Sequence, residues 1–202
     1  MEPVYLDCNA TTPLDPAVFE RMQKFLEEEY GNAGSRTHGY GNTAKKAVQE
    51  ARDEVAAVVG VERDEVIFTS GATESNNMAI LGLAKRGQET GRKHVITSQI
   101  EHKAVLEPVE RLQAEGFECD FLPCASDGYI EPKTVSDALR PDTLLVSIMH
   151  ANNETGILQP ISEIGEALAE HDCYFHVDAA QTFGKEIDDL ANQRIDLISI
   201  SG

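Results

Sequence analysis

The run Leu144-Leu145-Val146-Ser147-Ile148-Met149 is almost wholly apolar and ends abruptly in His150-Ala151-Asn152-Asn153-Glu154. A strand covered on one face alternates apolar and polar residues; one with scarcely any alternation must be covered on both. That single segment places a parallel, double-sided sheet at the centre of the chain. Shorter β-rich runs accompany it at Val66–Thr69, His94–Thr97, Cys119–Leu122, Tyr174–Val177 and Ile195–Ile200. Helical runs lie between them. Asp15-Pro16 opens one that reaches about Tyr30, with Phe19, Met22, Phe25 and Leu26 on one face. Ala44, Ala47, Val48, Ala51, Val55 and Val58 recur at helical spacing up to Gly60. Others cover Met78 to Leu83, 103–115, 134–140 and 161–170. Residues 32–42, rich in Gly and Asn, are predicted to form a loop. Strands alternating with helices predict an α/β fold, a mainly parallel sheet with helices on both faces.

In such sheets ligands bind beyond the carboxyl ends of the strands. The residues just past each predicted strand are therefore the candidate site. They are Ser70-Gly71-Ala72-Thr73-Glu74, Ser98-Gln99-Ile100-Glu101-His102, His150 to Glu154, Asp178-Ala179-Ala180-Gln181 and Ser201-Gly202. Gly71 allows a tight turn, after which the N–H groups of Ala72 and Thr73 can point at an anion with the helix dipole behind them. The competing reading is an ordinary cap made by Ser70 or Thr73. Asp178 directly follows an apolar strand, where a carboxylate is costly unless it meets a cation. A protonated pyridine nitrogen is one such partner; backbone donors or Gln181 are the alternative. His102 could lie against a ring or move protons, or simply cap the helix that starts at Lys103. Asn153 and Gln181 can donate to an oxygen anion or serve turn chemistry. His176 alternates with Asp178 and is either a site residue or a packed core histidine.

The chain has 202 residues, with 17 Lys and Arg against 35 Asp and Glu, a net charge of −18. That balance argues against direct nucleic-acid binding, which needs clustered basic residues. No stretch approaches a membrane span, and the N-terminus lacks a signal-peptide profile, so the expected location is the cytoplasm. The four cysteines, Cys8, Cys119, Cys124 and Cys173, form no CxxC and are expected to be reduced and structural.

Cys8 to Pro13, Thr69 to Asn77, Glu101 to Val105, His150 to Gly156 and His176 to Gln181 together resemble the cysteine desulfurases of the NifS and IscS kind. These are class V aminotransferase-like, fold-type I pyridoxal-phosphate enzymes, and the similarity runs in order from about Val4 to Gly202. The resemblance implies a seven-stranded-type sheet, incomplete here. Residues 16–202 would be the large cofactor domain, and 1–15 would pack with a smaller one. It implies that Ala72 and Thr73 hold the cofactor phosphate with help from the Ser201 hydroxyl. His102 would stack on the ring and move protons, Asp178 would pair with the ring nitrogen, and Gln181 would bond the ring 3′ oxygen. Asn153 would sit near that oxygen and the substrate carboxylate. The implied activity takes sulfur from L-cysteine, leaving L-alanine and an enzyme persulfide for a sulfur-acceptor protein. Iron–sulfur assembly, tRNA thiolation and DNA phosphorothioation all use such enzymes. A homodimer is implied, with the 32–42 loop near its interface.

The family pattern continues Ser-Gly-His-Lys, whereas this sequence reaches Ser201-Gly202. The Schiff-base lysine and the nucleophilic cysteine are therefore expected beyond residue 202, and the chain is expected to be one segment of a longer enzyme. Three alternatives remain at this level. One is another fold-type I enzyme, a selenocysteine lyase or aminotransferase. The second is a metal-dependent hydrolase using His102, His150, His176, Asp178 and Glu154. The third is a non-catalytic scaffold.

Overall fold

The computed structural model describes residues 3–191 and 194–202. Five strands, β1 (His94–Ser98), β2 (Glu118–Leu122), β3 (Thr143–Met149), β4 (Tyr174–Asp178) and β5 (Leu197–Ser199), form one sheet in the order β2-β1-β3-β4-β5. Every pairing is parallel. All seven residues of β3 are buried, as its apolar run requires. The edge strand β2 alternates instead, exposing Glu118 and Asp120. Charged residues at an edge discourage pairing with another chain.

Two compact units divide between Ile67 and Phe68. The second unit holds the sheet. On one face, α3 (Ala72–Gly82) and α5 (Lys103–Ala114) bury Ile80, Val105, Val109 and Leu112 against Val95, Leu144 and Leu145. On the other face, α6 (Pro132–Ala138) and α7 (Ile161–Ala167) pack together and wholly bury Val135, Ile161 and Ile164. A short helix, α4 (Ala84–Thr90), follows α3. The alternating α/β architecture expected from the sequence is present. Each fully buried Leu or Ile contributes about 1.5–3 kcal/mol by leaving water, which is what holds helices to the sheet.

The first unit is helical. α1 (Pro16–Glu27) starts at Asp15, whose carboxylate accepts from the Ala17 N–H at 2.8 Å. It buries no residue; Phe19, Met22 and Leu26 are exposed. α2 (Gly39–Val59) begins inside the expected 32–42 loop, because His38 Nδ1 accepts from the Gly41 N–H at 3.3 Å and caps the helix. Gly41 is needed for packing, not for turning. A Cβ there would lie 2.6 Å from the Ser35 carbonyl oxygen.

Val66–Thr69 is not a strand of this sheet. Val66 is extended, with φ −85° and ψ 123°, while Ile67 is 66% exposed. Residue preference can extend a backbone, but a strand exists only through its ladder with a neighbour. Among the described residues the sheet therefore has five strands.

Candidate functional site

Parallel register aligns the strand tips. Met149 stands opposite Asp178, and Asp178 opposite Ser199. Beyond those tips lies a cleft of about 110 Å³. Ala72, Thr73 and Asn76 of α3 form one wall, with His102 and Ala104 beside them. Met149, Ala151 and Asn153 come from the end of β3, and Asp178, Ala180 and Gln181 from the end of β4. Of the residues expected at the site, Ala72, Thr73, His102, Asn153, Asp178 and Gln181 are brought together. Ser201 is exposed, two residues past β5, and does not line the cleft.

The α3 entrance is shaped by a hydroxyl network rather than by a cap. Thr69 Oγ1 lies 2.8 Å from Ser75 Oγ and donates to the Gly71 carbonyl at 3.0 Å. The Ser70 N–H donates to Glu74 Oε2 at 2.6 Å, and that bond holds the Glu74 carboxyl below its usual range. Gly71 is the N-cap residue, and no side chain caps the helix. The cap by Ser70 or Thr73 that the sequence left open is not made. The first turn of α3 thus turns its N–H dipoles, uncapped, toward the cleft wall, a ready anion site.

Asp178 is 6% exposed. Its Oδ2 accepts from Asn76 Nδ2 at 2.7 Å and its Oδ1 from the Ala180 N–H at 3.0 Å. Both donors are neutral, and a buried carboxylate served only by neutral donors still favours a cationic guest. The second bond also bends the chain after β4 and sets Gln181 at the cleft wall. Asn152 folds the loop after β3. Its Oδ1 accepts from the Glu154 and Thr155 N–H groups at 2.9 Å, and its Nδ2 donates to the Ile100 carbonyl at 2.9 Å. Asn152 therefore does the turn chemistry, and Asn153 lines the cleft.

His102 is exposed and is the N-cap of α5, its Nδ1 accepting from the Ala104 N–H at 3.1 Å. The capping role weighed for it is made. The accepting nitrogen carries no proton, so the neutral ring keeps its hydrogen on Nε2. Replacing His102 by Ala is expected to cost about 1 kcal/mol of stability through the lost cap, while Asn should cap equally well. Thermal melts of the two variants check this.

His176 is a core residue. Its Nδ1 lies 2.8 Å from Ser147 Oγ and its Nε2 3.0 Å from Ser199 Oγ. Burial pushes its pKa down to about 4, against the opposing pull of Asp178. His150 sits against Thr182 Oγ1 at 2.9 Å, its pKa lowered by burial. Glu154 is exposed and accepts from Asn153 Nδ2. The ligand set of a metal-dependent hydrolase is not assembled: among the described residues no three His, Cys, Asp or Glu side chains are placed to hold an ion. The four cysteines are free, and burial pushes the Cys119 thiol up to about 11.

One cleft residue, Asn76, was not singled out by the sequence reading. Asn76 stands one helical turn after Ala72, so 3.6-residue spacing could have placed it on the cleft face. Glu101 falls in the run past β1 named from the sequence, but only tertiary packing buries it.

The class of protein follows from this arrangement. The aminotransferase class-V family model matches residues 4–202. The chain belongs to the aminotransferase class-V family. It is 50% identical over 202 residues to the human cysteine desulfurase, covering 100% of this chain and 44% of that protein. Among solved structures, DndA from Streptomyces lividans matches with TM-score 0.89 and 55% identity, covering 98% of this chain and 55% of that one. SspA in complex with cysteine matches with TM-score 0.90 and 42% identity, over 98% and 56%. The chain thus spans about half the length of the relatives it matches. The family's cofactor is pyridoxal 5′-phosphate. The residues present fit it: an uncapped helix start for a phosphate and a buried carboxylate for a ring nitrogen open on one cleft. Among the described residues, no helix is long and apolar enough to cross a membrane.

Proposed function

We propose that this chain forms the cofactor-binding half of a cysteine desulfurase, an enzyme that takes sulfur from L-cysteine and leaves L-alanine. The observation that carries the reading is the shared cleft, where the uncapped N-terminus of α3 and the buried Asp178 carboxylate meet with His102 at the wall. When bound, pyridoxal phosphate supplies an electron-withdrawing ring that stabilises negative charge at the substrate α-carbon. The Ala72 and Thr73 N–H groups bind its phosphate, and Asp178 holds a proton on its ring nitrogen. Gln181 and Asn153 donate to the ring oxygen, Asn153 also reaching the substrate carboxylate. His102 packs against the ring and moves protons through Nε2.

In the overall reaction an enzyme thiol takes the substrate sulfur to give a persulfide, and that sulfur passes to an acceptor protein. The working protein in this reading is a cytoplasmic homodimer. Residues 1–15 serve a smaller domain, in keeping with the exposure of Val4, Tyr5, Leu6 and Leu14. Support comes from the identities over the whole chain and from the cysteine-bound neighbour.

Two measurements test the reading. Equilibrium dialysis should show saturable binding of one pyridoxal phosphate per chain. The full polypeptide supplied with L-cysteine and a thiol reductant should release alanine and sulfide in equal amounts. Alanine from selenocysteine alone would overturn the substrate, and no cofactor binding would overturn the reading itself.

A further inference from the structure

Glu101 is a buried ionisable group that the proposed chemistry does not use. It sits at the end of the turn between β1 and α5, next to His102, and is 6% exposed. Its Oε1 accepts twice, from Ser98 Oγ at 2.6 Å and from the Met149 N–H at 3.0 Å. Its Oε2 is buried with no hydrogen-bond partner among the described residues. Met149 is the last residue of β3, lines the cleft and stands opposite Asp178. One carboxyl group therefore ties the turn that carries His102 to the strand tip that abuts Asp178.

The bonding pattern speaks to its charge. An ionised carboxylate needs donors on both oxygens when it is buried, and here one oxygen takes both donors and the other none. The ionisable group facing it from β4 is Asp178, itself a carboxylate. His176, two residues back on β4, has both ring nitrogens on serines, while β1 and β3 present the Ser98 hydroxyl and the Met149 N–H. No cation is paired with Glu101 among the described residues. Burial pushes its carboxyl up to about 8, with Asp178 adding to the shift and the Ser98 and Met149 bonds opposing it.

We propose that Glu101 is a positioning residue that acts as an uncharged carboxylic acid, clamping the His102 turn to the tip of β3 while leaving Asp178 as the anion of the cleft. The uncharged form is essential to the role. A second buried anion beside Asp178 would raise the energy of both and attract the proton that Asp178 is to hold on the ring nitrogen. This inference rests on the cofactor reading for its functional meaning, but its protonation state can be measured without the cofactor.

The test compares Glu101→Gln, Glu101→Asp and Glu101→Ala in the full chain. Gln keeps the length, an accepting oxygen for Ser98 and Met149, and zero charge. Asp is one carbon too short to reach Met149, and Ala removes the clamp. Dialysis with pyridoxal phosphate should show Gln within about twofold of the parent, and Asp and Ala weakened about tenfold, the scale of a lost buried hydrogen-bond partner. Melting temperatures of the cofactor-free parent and Glu101→Gln are compared across pH. A carboxyl whose folded pKa of about 8 lies above its ordinary 4.5 contributes stability that is full below about 4.5 and lost as pH rises through about 8. The parent should therefore lose ground to Glu101→Gln steadily over that window and no further above it. His176 and Asp178 are common to both proteins and largely cancel in the difference. Gln binding as weakly as Ala, Ala binding like the parent, or a parent-minus-Gln difference that is flat or rises with pH would each overturn the proposal. A parent that binds no cofactor sinks the functional reading, while the pH comparison still decides the state of Glu101.

Discussion

Asp178→Asn is expected to weaken binding of pyridoxal phosphate by about two to three orders of magnitude, the 2–5 kcal/mol scale of losing one partner of a buried charge pair. The cofactor-free chain should melt at the same temperature or higher. The two effects part because the carboxylate is arranged for a guest. Its oxygens accept from the Asn76 side chain and the Ala180 N–H, both neutral. A buried anion with neutral partners is a liability to folding, and removing its charge is often neutral or stabilising. The introduced amide can keep the Ala180 bond through its own oxygen. Its NH₂ group would then face the Asn76 amide, but Asn76 Oδ1 is buried without a partner among the described residues. A flip of Asn76 would present that oxygen to the new NH₂ group and satisfy both. Equilibrium dialysis and thermal melts on one preparation check the prediction. A variant that both binds normally and melts normally would show that the Asp178 charge has no ligand to meet.

Gly71→Ala should weaken pyridoxal phosphate binding by about tenfold to a hundredfold, through about 1–3 kcal/mol of backbone strain. Binding of pyridoxal, which lacks the phosphate, should be nearly unchanged. Gly71 has φ +153° and ψ 177°, a region that residues with a Cβ rarely enter. A Cβ built there meets nothing within 4 Å, so crowding plays no part and the whole penalty is conformational. Relief of that strain must move the neighbouring peptide units, and these carry the Ala72 and Thr73 N–H groups. Parallel titrations with the two ligands decide it. An equal loss for both would mean that the turn supports the cleft generally and is not a phosphate cradle.

Much of the sheet was legible before any coordinates because burial on both faces leaves its mark in composition. β1, β3 and β4 lie within about a residue of their expected ends. Once the strands were taken as parallel, their polar C-terminal neighbours had to share one rim, and six of the seven expected site residues do line one cleft. Where the reading failed, the missing information was a partner. Val66–Thr69 has strand-like residues but joins no ladder of the sheet. Residues 39–42 look like a glycine-rich turn, yet the His38 side chain makes them the first turn of α2. His176 was ambiguous until Ser147 and Ser199 were seen on its two nitrogens.

The sequence by itself determined the layering, the direction of the strands and the end of the sheet at which chemistry sits, because periodicity and burial are local properties of a chain. Only the tertiary structure decided the protonation and pairing of the buried polar groups. Asn76 meets Asp178 across 102 residues, and Glu101 meets the Met149 N–H across 48. The charge of a buried acid is set by water lost and donors gained, and neither exists until distant segments have packed.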